Sequence, residues 1–363
     1  MLSSTTSSAF IEKYDDSSKH LLQNRTISLP DWLNLTTTNS KSKILDLRCN
    51  KEQEKRRLKS SSFIPLEYLE KRSFELPPRH VEFTILLSRN DLDEVESFLL
   101  TQQQNGRRRK KKPNPWKVSH VLLDSDEFWS EAQNMGMVFQ PSTMHNRRPQ
   151  VRLWQPDSMV ENILLPLLVV KAKNDIDNQR SSSNSSSEVW DLAAGTGRDV
   201  AFLAESLHVT SMDYKLIAID HRYNAKETKI VNDFFDRIVG VGNQISSLKL
   251  NLSSWKTLEQ AKSSTLVNNQ VAAMFCVRFW KPHLVEGIAN SKSISSGVFF
   301  ALSHFCKPTT GASWNFDHPS EKTVLERNQL FDLFEAQWDV VYDEIALDSD
   351  HGRTMVHFVA RRR

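Results

Sequence analysis

The sequence predicts two α/β units in one chain, and three observations carry that expectation. The first is Val189–Ala204, where a short apolar run meets a loop of small residues and then apolar residues at helical spacing. The second is a series of further apolar runs after it, at 215–220, 271–277 and 297–303. The third is a shorter alternation of strand-like and helix-like segments upstream, between Lys43 and Gly136. Alternation of this kind implies parallel sheets with helices on their faces.

In the first stretch, Val189 and Trp190 end a buried strand, and Asp191 stands where the strand should give out. Ala193, Ala194, Gly195, Thr196 and Gly197 follow, small enough to let backbone approach a ligand. Val200, Leu203, Ala204 and Leu207 then repeat with helical period. In an open α/β sheet the ligand sits at such a turn, outside the carboxyl end of the strand. A Walker loop needs Gly-Lys-Ser/Thr, and here Gly197 is followed by Arg198 and Asp199. A dinucleotide loop binds an anionic pyrophosphate, which Asp191 would repel. Asp191 suits a cation instead, such as the amino group of a methionine moiety.

The run Asp191-x-Ala193-x-Gly195-x-Gly197 resembles the first motif of class I S-adenosylmethionine (SAM) methyltransferases, with Ala193 in place of the first glycine. Arg198 and Asp199 extend the likeness to the tellurite-resistance type of small-molecule methyltransferase. The resemblance implies SAM as cofactor and a seven-stranded Rossmann-like sheet over 157–363. It implies that Asp220, ending the run from Lys215, takes the ribose hydroxyls. Asn251 and Leu252 then stand where the adenine is met, and Cys276 and Val277 end the strand beside which SAM lies. Trp338–Tyr342 and Thr354–Ala360 are expected as a closing hairpin with a turn at His351-Gly352.

Catalytic residues are not named by any motif. Arg278 either binds an anionic substrate group or pairs with Asp199 or Asp220. His304, expected just past the fifth strand with Ser303, is either a general base or a packing residue. The acceptor is unidentified, with a small molecule favoured. A non-catalytic interaction scaffold and an RNA or protein methyltransferase stay open.

Upstream, Ile44-Leu-Asp-Leu-Arg48, Phe63-Ile-Pro-Leu66 and the central run Val81–Leu87 resemble a rhodanese domain. That family places a nucleophilic cysteine directly after the central strand. This chain has Ser88 there, and Cys49 lies after the first strand. Sulfur transfer is therefore not expected, and the unit is read as a substrate- or partner-binding domain. A short helix from Ser28, a helix after Pro65, and helices at Leu92–Thr101 and 126–136 are expected within it. The resulting division is a disordered tail over 1–25, a rhodanese-like domain lacking the catalytic cysteine over 26–140, a linker over 141–156 and a methyltransferase domain over 157–363.

Composition sets the remaining bounds. Hydrophobic residues are 39% and charged residues 25%, as in a globular protein, and no apolar run is long enough to span a bilayer. The Ser/Thr-rich start lacks the apolar core of a secretory signal. Cys49, Cys276 and Cys306 show neither metal spacing nor a disulfide framework, so no metal site and a reducing, cytoplasmic or nuclear, compartment are expected. The net charge of +3 is local, because Arg107–Lys112 is an unbroken basic run within loop 106–115. Such a run is a nuclear-import signal, a nucleic-acid or phosphate contact, or a solvated insertion. It contains no aromatic residue, which disfavours single-stranded nucleic acid.

Overall fold

A computed structural model describes residues 21–36, 43–101, 115–139, 152–177, 187–238, 244–265, 270–348 and 352–363. The basic run Arg107–Lys112, residues 181–186, His351 and most of the expected linker lie outside the described residues. The chain divides into two compact units, 1–145 with 151–153, and 146–150 with 154–363. No helix among the described residues is long and apolar enough to cross a membrane.

The first unit contains α1 (Leu29–Thr36), β1 (Ile44–Asp46), α2 (Asn50–Lys55), β2 (Arg57–Leu58), β3 (Ser61–Phe63), β4 (Phe83–Leu87), α3 (Leu92–Thr101), β5 (Val118–Leu123), α4 (Asp126–Asn134) and β6 (Val138–Phe139). Its four-stranded sheet runs β3-β1-β4-β5, all parallel. Ser28 begins α1 as expected, its Oγ accepting the Asp31 N–H at 3.3 Å.

Two expectations are corrected in this unit, and one helix is additional. Ordered chain starts before residue 26, because Leu22 is fully buried with Leu45, Leu47 and Phe83. The helix expected after Pro65 is replaced by two 3-10 turns, Leu66–Tyr68 and Ser73–Glu75. Arg72 holds that path by pairing with Glu75 at 2.7 Å and donating to the Phe63 carbonyl. Helix α2 was not expected at all, since Asn50–Lys55 has no apolar residue to set a period.

The carboxyl edge of this sheet is filled by side chains. Arg48, fully buried, makes a two-point contact with Asp46 and lies 3.6 Å from Asp124. Its guanidinium stacks 4.4 Å from the Trp129 ring. After β4, Ser88 is extended and leads directly into a 3-10 turn at Arg89–Asp91.

The second unit opens with a π-helical turn at Val160–Leu164 that runs into α5 (Leu165–Asp177). It continues with β7 (Ser187–Leu192), α6 (Arg198–Val209), β8 (Tyr214–Asp220), α7 (Ala225–Arg237), β9 (Ile245–Lys249), α8 (Trp255–Thr265), β10 (Val271–Val277), α9 (Pro282–Asn290), β11 (Phe299–Phe305), α10 (Gln329–Phe334), β12 (Trp338–Leu347) and β13 (Thr354–Arg362). The sheet has seven strands in the order β12-β13-β11-β10-β7-β8-β9. β13 alone runs opposite to the other six strands, so the sheet is mixed and ends in the expected hairpin.

The chain leaves β7 toward β8 and β9, then returns to lay β10 on the other side of β7. That reversal puts the switch point of the sheet at the carboxyl ends of β7 and β10, the crevice in which open α/β sheets bind ligands. Helix α6 packs with Val200, Leu203, Ala204 and Leu207 buried, the face its spacing predicted.

Two strand ends differ from the sequence expectation. Asp191 lies inside β7, since it pairs with both Ala218 of β8 and Phe275 of β10. Ser303 and His304 lie inside β11, which β13 extends by pairing with both.

Candidate functional site

The loop from β7 to α6 is built on left-handed backbone. Ala193, Gly195 and Gly197 have φ of 69°, 61° and 75°. Glycine adopts this region freely, whereas alanine does so at a cost. The loop is tied down on the β8 side: the Ala194 N–H donates to the Ile219 carbonyl at 2.9 Å, and the Gly195 N–H donates to Asp220 Oδ2 at 2.9 Å. Gly197 has a packing reason as well. A Cβ there would stand 2.7 Å from the Phe235 ring.

Carboxylates surround this loop. Asp191 is 3% exposed and takes the Val200 N–H. Burial pushes its carboxyl well up, and the charges of Asp199 and Asp220 push it further. Asp199 is pushed up to about 6, chiefly by burial, while the Asp157 N–H and the guanidiniums of Arg198 and Arg278 pull it back. Asp157 is held in turn by Ser303, whose Oγ donates to its Oδ2 at 3.0 Å. Asp220 differs. Burial alone would raise it, but hydrogen bonds from Arg222 and Gly195 outweigh that and hold it below the usual carboxylate range. Tyr223, beside Asp191 and Asp220, is buried and its hydroxyl has no partner among the described residues.

The remaining expected residues sort by place. Asn251 is exposed on the same rim, one residue past Leu250, whose N–H donates to the Asp220 carbonyl. Leu252 and Cys276 point into the apolar core with Leu192 and Ile219, and burial pushes the Cys276 thiol far up. Cys276 therefore offers backbone rather than sulfur to the crevice. Val277 is half-buried at the end of β10.

Arg278 follows with φ of 54°, a left-handed residue that is not glycine. Its guanidinium, 44% exposed, pairs with Asp348 at 2.8 Å and with neither Asp199 nor Asp220. Asp348 is fully buried because Arg353 holds its other oxygen, at 2.6 Å. Both guanidiniums border the Phe305 ring, 5.9 and 4.4 Å from its centre, and Trp314 packs edge-on against it.

His304 stands apart from the loop carboxylates. Side chains alternate along a strand, so it points away from the Ser303–Asp157 side. Its Nε2 lies 2.8 Å from the Thr323 carbonyl, and burial pushes its pKa down.

Sequence reasoning missed Arg222, Tyr223, Asp157 and Asp348. A signal existed for the first two, in His221-Arg222-Tyr223 directly after the acid that ends β8. Nothing local marks Asp157 or Asp348. No group of three or more His, Cys, Asp or Glu placed to hold a metal ion occurs among the described residues.

No protein-family model matches the chain, and no curated protein matches it in sequence. Solved structures similar to it include the 1,6-didemethyltoxoflavin-N1-methyltransferase of Burkholderia thailandensis with 1,6-didemethyltoxoflavin and S-adenosylhomocysteine bound. That match has 12% identity, spans 66% of this chain and 91% of the other, and has a TM-score of 0.32. The N-methyltransferase NodS of Bradyrhizobium japonicum matches at 8% identity over 57% of this chain and 98% of its own, with a TM-score of 0.35. A SAM-dependent methyltransferase of Geobacter sulfurreducens, in complex with S-adenosylhomocysteine, matches at 12% identity over 55% and 91%, with a TM-score of 0.30.

Proposed function

We propose that the second unit is a class I SAM-dependent methyltransferase domain acting on a small-molecule acceptor, and that the first is a rhodanese-like domain without its catalytic cysteine. One observation carries the reading. A left-handed small-residue loop at the β7–β10 crevice has its central N–H tied to the acid that ends β8, and buried carboxyls surround it.

The residues fit an adenosyl sulfonium. No ion pair of Asp191 with a cation occurs among the described residues, and a cationic ligand offsets the cost of burying its charge. The Tyr223 hydroxyl offers a donor, and Asp220 and Asn251 offer acceptors for a diol and an amino group. SAM, when bound, supplies an electrophilic methyl group whose transfer needs no activation by the protein. The chain's own work is then to bind, orient and exclude water. Asp191 and Asp199 favour positive charge in the crevice. Asp157, held by Ser303 and holding Asp199, fixes the start of α6. Arg278, fastened by Asp348 at the carboxyl end of β10, stands on the acceptor side with Phe305 and Trp314. His304 takes no part, since its Nε2 is occupied and it faces the other side of the sheet.

In the first unit, Ser88 cannot carry a transferred sulfur, and the Arg48–Asp46–Asp124 cluster fills the edge of the sheet. That supports a binding rather than a catalytic role.

The test is incubation of the purified chain with methyl-labelled SAM and pooled small molecules, followed by product analysis. Label in a discrete product, lost in Asp220→Ala, supports the reading. Binding of SAM with no transfer to any small molecule or macromolecule removes the catalytic part and leaves a ligand-binding scaffold.

A further inference from the structure

The Asp220 carboxylate is the group that would take a ribose diol in the reading above, on which this inference rests, and its two oxygens are already engaged. Oδ1 accepts the Arg222 backbone N–H at 2.8 Å and Arg222 Nε at 3.1 Å, and lies 3.2 Å from His221 Nδ1. Oδ2 accepts the Gly195 N–H at 2.9 Å and Arg222 Nη2 at 3.4 Å. An ionised carboxylate offers roughly four lone-pair sites. A diol that uses two of them must displace donors already there.

The donors are not equally replaceable. The two backbone N–H groups belong to the loop and to the turn after β8, and they stay with the fold. The Arg222 side chain is 57% exposed and touches Asp220 from the solvent side. It also lies against the glycine loop, where a Cβ built on Gly195 would be 3.0 Å from Nη2. The guanidinium thus occupies both features expected of the ligand's seat: the acid that takes the hydroxyls and the bare face of the small-residue loop. An exposed, long and flexible arm can leave for water at small cost, because it loses only a solvent-side ion pair.

We propose that Arg222 is a latch on the adenosyl site, with its side chain standing in for the ribose diol until a ligand displaces it. Two hydroxyl donors then replace Nε and Nη2 on Asp220, and the backbone bonds from Arg222 and Gly195 persist. Arg222 therefore sets the affinity of the site: the latch subtracts from binding of every ligand that needs Asp220. Removing it should tighten binding rather than weaken it, which is the opposite of what a ligand-contacting arginine would do.

The experiment is calorimetric titration of S-adenosylhomocysteine into the full chain and into Arg222→Gln and Arg222→Ala, with melting curves to establish folding. The latch predicts a dissociation constant roughly two- to fivefold lower in both variants, in line with loss of one charged, exposed contact. Unchanged or weaker binding in the folded variants overturns the latch and leaves the adenosyl reading standing. Absence of binding in all three chains overturns both. Should neither variant fold, the unaltered chain decides. Raising salt from about 0.05 M to about 0.5 M screens the exposed guanidinium, and the latch predicts tighter binding at the higher salt. Constant or falling affinity overturns it.

Discussion

The Asp199 carboxylate accepts the backbone N–H of Asp157 at 2.8 Å, which joins the first turn of α6 to the segment that leads into α5. The bond spans 42 residues of sequence, and it holds a carboxyl that burial has pushed up to about 6. Structure and proton affinity at this point are therefore linked.

That linkage predicts a pH dependence with a definite sign. An unfolded aspartate titrates near its ordinary value, and the folded one binds its proton more tightly. Between about pH 4 and pH 6 the folded state holds a proton that the unfolded chain has released, so stability falls as pH rises through this window. The span corresponds to about 3 kcal/mol. Asp199→Asn keeps an acceptor for the Asp157 N–H and has no charge to bury. It should be more stable than the native chain at pH 8 and show little difference at pH 4. Denaturant unfolding at the two pH values measures this, and an advantage independent of pH would contradict it.

The glycine loop predicts opposite effects at two positions. Ala193→Gly relieves a left-handed alanine and should leave stability unchanged or raise it by up to about 1 kcal/mol. Gly197→Ala adds a Cβ against the Phe235 ring at positive φ and should lower stability by about 2–4 kcal/mol. Melting temperatures of the two variants check both signs. A neutral Gly197→Ala would mean that the Phe235 ring is free to move aside.

Asp348 serves two arginines of unequal exposure, so the two ends of the cluster should respond unequally. Arg278 is 44% exposed and its replacement by Ala should cost no more than about 1 kcal/mol. Asp348→Ala leaves Arg353, a nearly buried guanidinium, with the His318 carbonyl but no counter-ion, and should cost about 2–4 kcal/mol. Equal losses in thermal unfolding would show that Arg353 finds water or another partner.

What the sequence made legible follows from how local each cause is. The apolar run Val271–Val277, the small residues 193–197 and the acid ending β8 are local signals, and each appears where expected. Strand ends are set by neighbours. Asp191 and His304 read as the start of loops, but β8, β10 and β13 pair with those positions and keep them in the sheet. Helix α2 lacks any apolar periodicity and starts on a cap, the Cys49 N–H donating to the Glu52 carboxylate at 3.2 Å. The partner of Arg278 lies 70 residues away in the chain, beyond reach of any local pattern, and acids nearer the motif were the natural expectation. Arg222 lies two residues past the key acid, and its chemistry matters only because its side chain folds back onto Asp220.

The central claim is that the β7–β10 crevice is an adenosyl site. Its most direct test is calorimetric titration of SAM and S-adenosylhomocysteine into the native chain and into Asp220→Ala and Gly195→Val. The account predicts one-to-one binding of both ligands by the native chain and loss of it in both variants, with all three folded. Native protein that is folded, takes up neither ligand and shows no thermal shift in their presence would contradict it.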